Sequence, residues 1–169
     1  SIMGTVREVA VCCSLASCVS AAIMPHETSF VQALSSLPHG PEFRFIDELT
    51  ALKPGESAGA RWSLKGDEEF LRGHFPGHPL LPGVIMIEAL AQLGGIIAQT
   101  RPGIEPLKNL RLTAVRQFKI LGSISPGQSL LIEATLEGAL AGVIQVSGTV
   151  SDEAGQRLAT GVIVLAGQE

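Results

Sequence analysis

The side chains best suited to chemistry at neutral pH lie between His74 and Gln92. The first part of this stretch reads Gly73-His74-Phe75-Pro76-Gly77-His78-Pro79-Leu80-Leu81-Pro82-Gly83. Three prolines and three glycines in eleven residues fix an unusual backbone path. Such stiffness suits a site that must hold a side chain without reorganising. An imidazole exchanges protons near working pH, so His74 is the candidate base. His78 follows four residues later. On a helix that spacing would suit a metal, but Pro76, Gly77 and Pro79 forbid a regular helix and no third ligand is near. No metal site is expected, and His78 is assigned a supporting, structural role in the loop. His26 and His39 carry no local signature and read as surface or turn residues.

The second part is an apolar run from Val84 to Thr100, interrupted by one charge, Glu88. A helix apolar all round is buried. A carboxylate buried without a partner is costly, which favours its proton-bearing form and makes Glu88 a candidate general acid. Gln92 lies one turn on, on the same face, within reach to hold it. The plainer alternative is that Glu88 reaches a subunit rim and pairs with an arginine. Pro82-Gly83 opens the helix, where free N–H groups and the helix dipole polarise a carbonyl or stabilise an enolate. Glu88 is about 7.5 Å further along the axis. An acyl thioester would thus place its carbonyl at Gly83 and its β-carbon near Glu88. Gly94 and Gly95 would weaken an exposed helix by ~1 kcal/mol each; in a buried one they admit a neighbouring backbone or a ligand chain.

The elements that position these residues follow from pattern and punctuation. Ser29 to Leu37 reads as a short helix capped by Ser29. Phe43–Leu52 and Gly59–Leu64 read as strands joined by a Pro54-Gly55 turn. After the helix come strand-like runs at Leu107–Ile120, Ser129–Leu140, Gly142–Ser151 and Arg157–Ala166, separated by turn signals. No internal repeat stands out. Strands, one long helix, then antiparallel strands make an α+β fold, and a sheet must wrap the helix.

Composition bounds the rest. The 169 residues suffice for one domain with its own core. Net charge is −4 and the isoelectric point about 5.6, which argues against a general nucleic-acid binder. A mean hydropathy of +0.34 predicts apolar surface buried against a second subunit. Aromatics are 4%, with no tyrosine and a single tryptophan, Trp62, so an aliphatic core is expected. Arg101, Lys108, Arg111, Arg116 and Lys119 stand against one acid, Glu105. They read either as a landing patch for an acidic partner or as a solvated strand face.

Cys12, Cys13 and Cys18 form no disulfide framework, which suits a reducing compartment. Residues 1–24 are treated as an N-terminal extension to a domain at 25–169. The uncharged stretch Val9–Met24 is too short and serine-rich for a membrane span. It has three readings: a secretion signal, an upstream start ahead of Met24, or an extra segment packed on the domain.

The run from Gly73 to Gly95, GHFPGHPLLPGVIMIEALAQLGG, closely resembles the β-hydroxyacyl-[acyl-carrier-protein] dehydratases, in the branch called (3R)-hydroxymyristoyl-ACP dehydratase. Weaker similarity covers Leu37-Pro38-His39 with Phe43–Asp47, and Pro126-Gly127. The resemblance implies a hot-dog fold, an antiparallel sheet wrapped around one long buried central helix. It implies loss of water from a (3R)-hydroxyacyl thioester to give a trans-2-enoyl thioester, with no cofactor. The family's catalytic histidine falls on His74, its catalytic glutamate on Glu88 and its carbonyl-binding glycine amide on Gly83. Acyl-carrier protein would be the partner, which favours the docking reading of Arg101–Lys119. Homodimers would share their active sites, His74 of one subunit facing Glu88 of the other; a trimer of dimers is left open. The expected location is the cytoplasm.

A sister branch that also isomerises the alkene has Asp where this chain has Glu88 and His78, so the non-isomerising branch fits better. Gly40, Pro41 and Glu42 replace the family's usual basic and aromatic residues, and no tyrosine gate is possible. These departures bear on carrier docking and chain length. The alternatives are a non-catalytic hot-dog subunit, against which the presence of both His74 and Glu88 argues, and a hot-dog acyl thioesterase.

Overall fold

The computed structural model describes residues 29–169. The expectations for residues 1–24, with their three cysteines, and for His26 lie outside the described residues. Two α-helices, α1 (Phe30–Ser35) and α2 (Gly83–Gln99), accompany six strands. The strands are β1 (Glu48–Lys53), β2 (Ser57–Ser63), β3 (Lys108–Ile120), β4 (Ser129–Leu140), β5 (Val143–Ser151) and β6 (Arg157–Gln168). They form one antiparallel sheet in the order β1-β2-β4-β5-β6-β3, so β1 and β3 are its edges. The sheet curls around α2. This is the hot-dog arrangement, and the α+β reading holds.

Local chemistry explains most boundaries. Ser29 caps α1 in a reciprocal capping box with Gln32, satisfying two otherwise orphan donors. Ala141 and Gly142 both take positive φ, the geometry of a two-residue hairpin whose twist matches its strands. Leu140 and Val143 pair directly across it. Along β5, Ile144, Val146 and Val150 are buried and point to α2, in the period-two alternation of a sheet with one covered face.

The helix and sheet approach closely at two glycines. A Cβ on Gly148 would collide with Leu90 and lie 2.5 Å from the Glu133 carbonyl oxygen. A Cβ on Gly94 would lie 3.2 Å from Ile163 Cδ1. Gly94 therefore does what the sequence suggested and lets the sheet come near. Gly95 is different: a Cβ there would meet only Leu110, at 3.9 Å, so it faces open space.

Three expectations need amendment. The strand predicted from Phe43 begins only at Glu48, because the Phe43 carbonyl and the Phe45 amide are taken by the side chain of Gln92; ladder-type bonding starts with Asp47 N–H to Arg61 O at 2.9 Å. The core is not purely aliphatic, since Phe45 and Trp62 are buried in it and meet edge-on at 5.4 Å, a favourable ring geometry. Finally, eleven of the seventeen α2 residues are buried, but Val84, Ile87, Glu88, Gly95 and Gln99 form a less covered stripe. It faces the gap toward β3, whose own residues are all exposed or half-buried. Glu88 therefore stands at the edge of the wrap and not at its centre.

Candidate active site

His74 sits where the short turn Glu69–Arg72 runs into the stiff loop. Its Nδ1 lies 2.9 Å from the carbonyl oxygen of Leu80. A carbonyl only accepts, so Nδ1 carries the hydrogen and, in the neutral ring, Nε2 keeps a free lone pair. The Phe75 ring lies 4.4 Å from the imidazole, centroid to centroid, and Phe75 takes the unusual φ of 59°. Phe75 is also strongly exposed, as is nearly all of the loop from Arg72 to Pro79. His78 contributes its amide to the turn, N–H to Phe75 O at 2.9 Å. Its side chain is exposed, so the supporting role rests on its backbone.

The loop ends at the start of α2. Pro82 is the N-cap and Gly83 the first helical residue. Among the described residues no acceptor meets the Gly83 amide, which leaves a donor at the positive end of the helix dipole. Ile120 of β3 packs onto this glycine: a Cβ there would lie 2.5 Å from Ile120 Cδ1.

Glu88 lies one and a half turns on. Its Oε1 accepts from Gln92 Nε2 at 3.1 Å, the pairing expected from their spacing. Gln92 is almost wholly buried and its orientation is fixed by the backbone. Its Oε1 accepts the Phe45 amide at 2.9 Å and its Nε2 donates to the Phe43 carbonyl at 2.8 Å. The second neighbour of Glu88 is His39, with Nε2 3.4 Å from Oε1. The Glu88 side chain is 23% exposed and that of His39 30%. So the premise of a fully buried, unpaired carboxylate is corrected, and so is the reading of His39 as a plain surface or turn residue. Sequence spacing alone does not reveal His39, 49 positions from Glu88; the only signal is its place in the weaker Leu37-Pro38-His39 similarity.

His39, Phe43, Glu88, Gln92, Gly95 and Leu110 line a cavity of about 500 Å³ that runs beside the less covered stripe of α2. At its far end Gln99 exchanges two hydrogen bonds of 2.8 Å with the backbone of Leu107. A wider depression of about 840 Å³ lies on the outer face of the sheet, with Ser147, Thr149 and Thr160. Of the residues singled out by sequence it holds only Lys119, and it lacks both an imidazole and a helix N-terminus. The cavity at Glu88 is therefore the better reaction site. His74 is not in its lining, and within one chain no ion pair or hydrogen bond joins His74 to Glu88.

The basic residues do not gather at this cavity. Arg101 turns back to the helix end, donating from Nε to the Ala98 carbonyl at 3.1 Å. Lys108, Arg111, Arg116 and Lys119 are exposed along β3, and among the described residues none is in an ion pair. Only Arg111 borders the Glu88 cavity. No cluster of three His, Cys, Asp or Glu side chains suited to a metal occurs among the described residues, and none of their helices is long and apolar enough to cross a membrane.

The family model described as a FabA-like domain matches residues 37–158, which spans both His39 and the whole of the loop and helix. The chain belongs to the FabA-like family. Among FabA-like relatives, the 3-hydroxyacyl-[acyl-carrier-protein] dehydratase FabZ of Wolbachia pipientis wMel is 34% identical over 122 residues, covering 71% of this chain and 85% of that protein. The FabZ of Ligilactobacillus salivarius is 38% identical over 101 residues, 60% of this chain and 71% of that one. Among solved structures, the dehydratase heterocomplex ApeI:P from Xenorhabdus doucetiae matches with a TM-score of 0.68 at 18% identity, covering 81% of this chain and 91% of that one. A mutant thioesterase from Pseudomonas aeruginosa matches at 0.62 and 15% identity, over 82% and 92%. At such identities these two establish the shared fold alone.

Proposed function

We propose that this FabA-like chain removes water from (3R)-hydroxyacyl thioesters carried on acyl-carrier protein, giving trans-2-enoyl thioesters for fatty acid or related lipid synthesis. The chain is a hydro-lyase of the kind its FabZ relatives are named for. The observation that carries the reading of the site is the His74–Leu80 hydrogen bond, which leaves Nε2 as a base on a rigid loop.

The chemistry then divides among three groups. His74 Nε2 takes the α-proton. This proton is only weakly acidic, so the thioester carbonyl needs help; the open Gly83 amide donates to it as the enolate develops. Glu88 gives a proton to the β-hydroxyl, the C–O bond breaks and water leaves. Proton transfers of this kind contribute roughly 10²–10⁴-fold each. No cofactor enters these steps. Gln92 holds the acid, and the cavity beside Glu88, Gly95 and Leu110 takes the acyl chain.

The complete site belongs to a homodimer. Three features support this: His74 and Glu88 of one chain do not meet, the His74 loop and the α2 stripe are poorly covered, and β3 is an unpartnered edge. Such edges and apolar stripes are normally buried by a second copy. His74 of one subunit then serves Glu88 of the other. The four cations of β3, in no ion pair among the described residues, attract the acidic carrier protein, and the reaction belongs in the cytoplasm where carrier protein is found. Arg101, tied to Ala98 O, has the weakest claim to this role.

The test is enoyl hydration, the same reaction in reverse. Purified protein is incubated with a crotonyl thioester of carrier protein or pantetheine, and loss of enoyl absorbance is followed for wild type, His74→Ala and Glu88→Gln. Turnover that vanishes in both variants supports the assignment. Free thiol without hydration identifies a thioesterase instead, and no turnover across chain lengths leaves a non-catalytic subunit.

A further inference from the structure

Three consecutive peptide groups run from the carbonyl that holds His74 to the open amide of Gly83, and each is held. The first contains the Leu80 carbonyl and the Leu81 N–H. Its oxygen meets His74 Nδ1 at 2.9 Å, and its N–H donates to the Ile124 carbonyl at 2.9 Å. The second carries the Leu81 carbonyl, which accepts from Ser123 Oγ at 2.7 Å; its nitrogen belongs to Pro82 and has no hydrogen to offer. The third carries the Pro82 carbonyl, which accepts the Ile85 N–H at 3.0 Å. The N–H of this third group is that of Gly83. Ser123 and Ile124, neighbours in the chain, thus clamp the first two groups, and every backbone group on the run but the Gly83 donor has a partner.

That pair is fixed from outside the loop. Just before it, the Leu121 and Gly122 N–H groups both meet the Leu158 carbonyl of β6, at 2.7 and 3.1 Å. Just after it, the Ser125 N–H donates to Gln128 Oε1 at 2.8 Å, and the Gly127 N–H to the Leu64 carbonyl at 2.7 Å. Leu81 and Ile124 are buried, but Ser123 is exposed, so packing does not account for its hydroxyl. The hydroxyl has one hydrogen and two carbonyls within reach. Leu81 O, at 2.7 Å, is the one it bonds; Ile124 O lies at 3.5 Å. Pro82 passes the constraint on. Its ring locks φ, at −60° here. Once the Leu81 carbonyl is held, ψ of Pro82 is the one soft dihedral left before the Gly83 N–H, and the Ile85 bond to Pro82 O holds that.

We propose that Ser123 is a positioning residue: by holding the Leu81 carbonyl it aims the Gly83 amide at the oxygen of the thioester. This rests on the dehydratase reading above and adds to it a side chain that touches no reacting atom. A donor already aimed where enolate charge grows raises kcat rather than binding, and a donor free to swing loses that advantage. Ile124 does the matching task for the base. Its carbonyl draws on the Leu81 N–H and so polarises the peptide whose oxygen accepts from His74 Nδ1, a short chain of hydrogen bonds. Ile120 of the same segment packs on Gly83. The stretch from Ile120 to Ile124 is therefore a brace for two groups of the site at once.

The test compares Ser123→Ala, which removes the hydroxyl, with Ser123→Thr, which keeps it, in hydration of crotonyl-pantetheine by the purified protein. Loss of one hydrogen bond corresponds to a fall in kcat of about three- to tenfold for Ser123→Ala. KM should stay within about twofold, and Ser123→Thr should recover most of the loss. If Ser123→Ala keeps wild-type kcat, if its effect falls on KM alone, or if Ser123→Thr loses as much, the proposal is wrong while the dehydratase reading stands. Amide hydrogen exchange gives an arm independent of turnover, for a wild type that fails to hydrate the substrate. The Leu81 N–H should exchange about three- to tenfold faster in Ser123→Ala than in wild type, and at close to the wild-type rate in Ser123→Thr. Equal Leu81 exchange in wild type and Ser123→Ala would show that the hydroxyl does not hold this run of backbone, and would overturn the proposal whatever the reaction is.

Discussion

The Nδ1 of His74 lies 2.9 Å from the carbonyl oxygen of Leu80, across a loop too stiff to let either drift. That bond fixes the tautomer and leaves the basic nitrogen free. It also ties the base to the strand-like approach to α2, where Leu81 N–H bonds the Ile124 carbonyl at 2.9 Å. The imidazole is thus aimed by backbone contacts on both sides of the loop.

Because the ring is half-buried in a surface loop, its removal should spare the fold. His74→Ala is expected to lower kcat by roughly 10²–10⁴ with a urea midpoint close to wild type. A large drop in midpoint would instead give the ring a structural task.

Shared sites make a sharper demand. His74→Ala and Glu88→Gln homodimers should each be inactive, but a mixed dimer holds one site with both residues intact. Unfolding and refolding an equimolar mixture should restore about a quarter of wild-type activity, since half the dimers are mixed and each has one working site. No recovery would place base and acid in the same chain.

Gln92 joins stability to chemistry. Gln92→Leu leaves the buried Phe45 N–H without its acceptor, a loss of about 1–3 kcal/mol, readable as a lower denaturant midpoint. Gln92→Glu still accepts that N–H but turns an oxygen toward both the Phe43 carbonyl and Glu88. Its kcat should fall further than that of Gln92→Leu.

The β3 cations separate docking from catalysis. Replacing Lys108, Arg116 and Lys119, the β3 cations away from the Glu88 cavity, with glutamate should raise KM for carrier-bound substrate about tenfold or more. A pantetheine substrate should be turned over as before, and the carrier effect should weaken with salt. Equal losses on both substrates would mean that the charges support the fold or the dimer.

Gly148 is a steric test of the wrap. A methyl there would collide with Leu90 and crowd the Glu133 carbonyl, which is backbone and cannot yield. Gly148→Ala should destabilise by about 1–3 kcal/mol, measured by urea unfolding.

Much of this molecule was legible in its residues. Periodicity and turn signals located both helices and five of the six strands to within about two residues, the usual uncertainty of element boundaries. The loop chemistry singled out His74, and the lone charge in an apolar helix singled out Glu88 with Gln92 one turn away. These are local properties: side-chain spacing, backbone freedom and the rise of a helix. The strand start at Glu48 was not local, because it depends on Gln92, nearly fifty residues distant, capturing the backbone of Phe43 and Phe45. Nor was the partner of Glu88. His39 has no signature of its own, and only the folding of α1 and the turn at Pro41–Phe43 against α2 brings it to 3.4 Å. The sequence by itself determined which groups can exchange protons. The tertiary structure decided which of them meet, because non-local contacts follow from how the sheet curls around the helix.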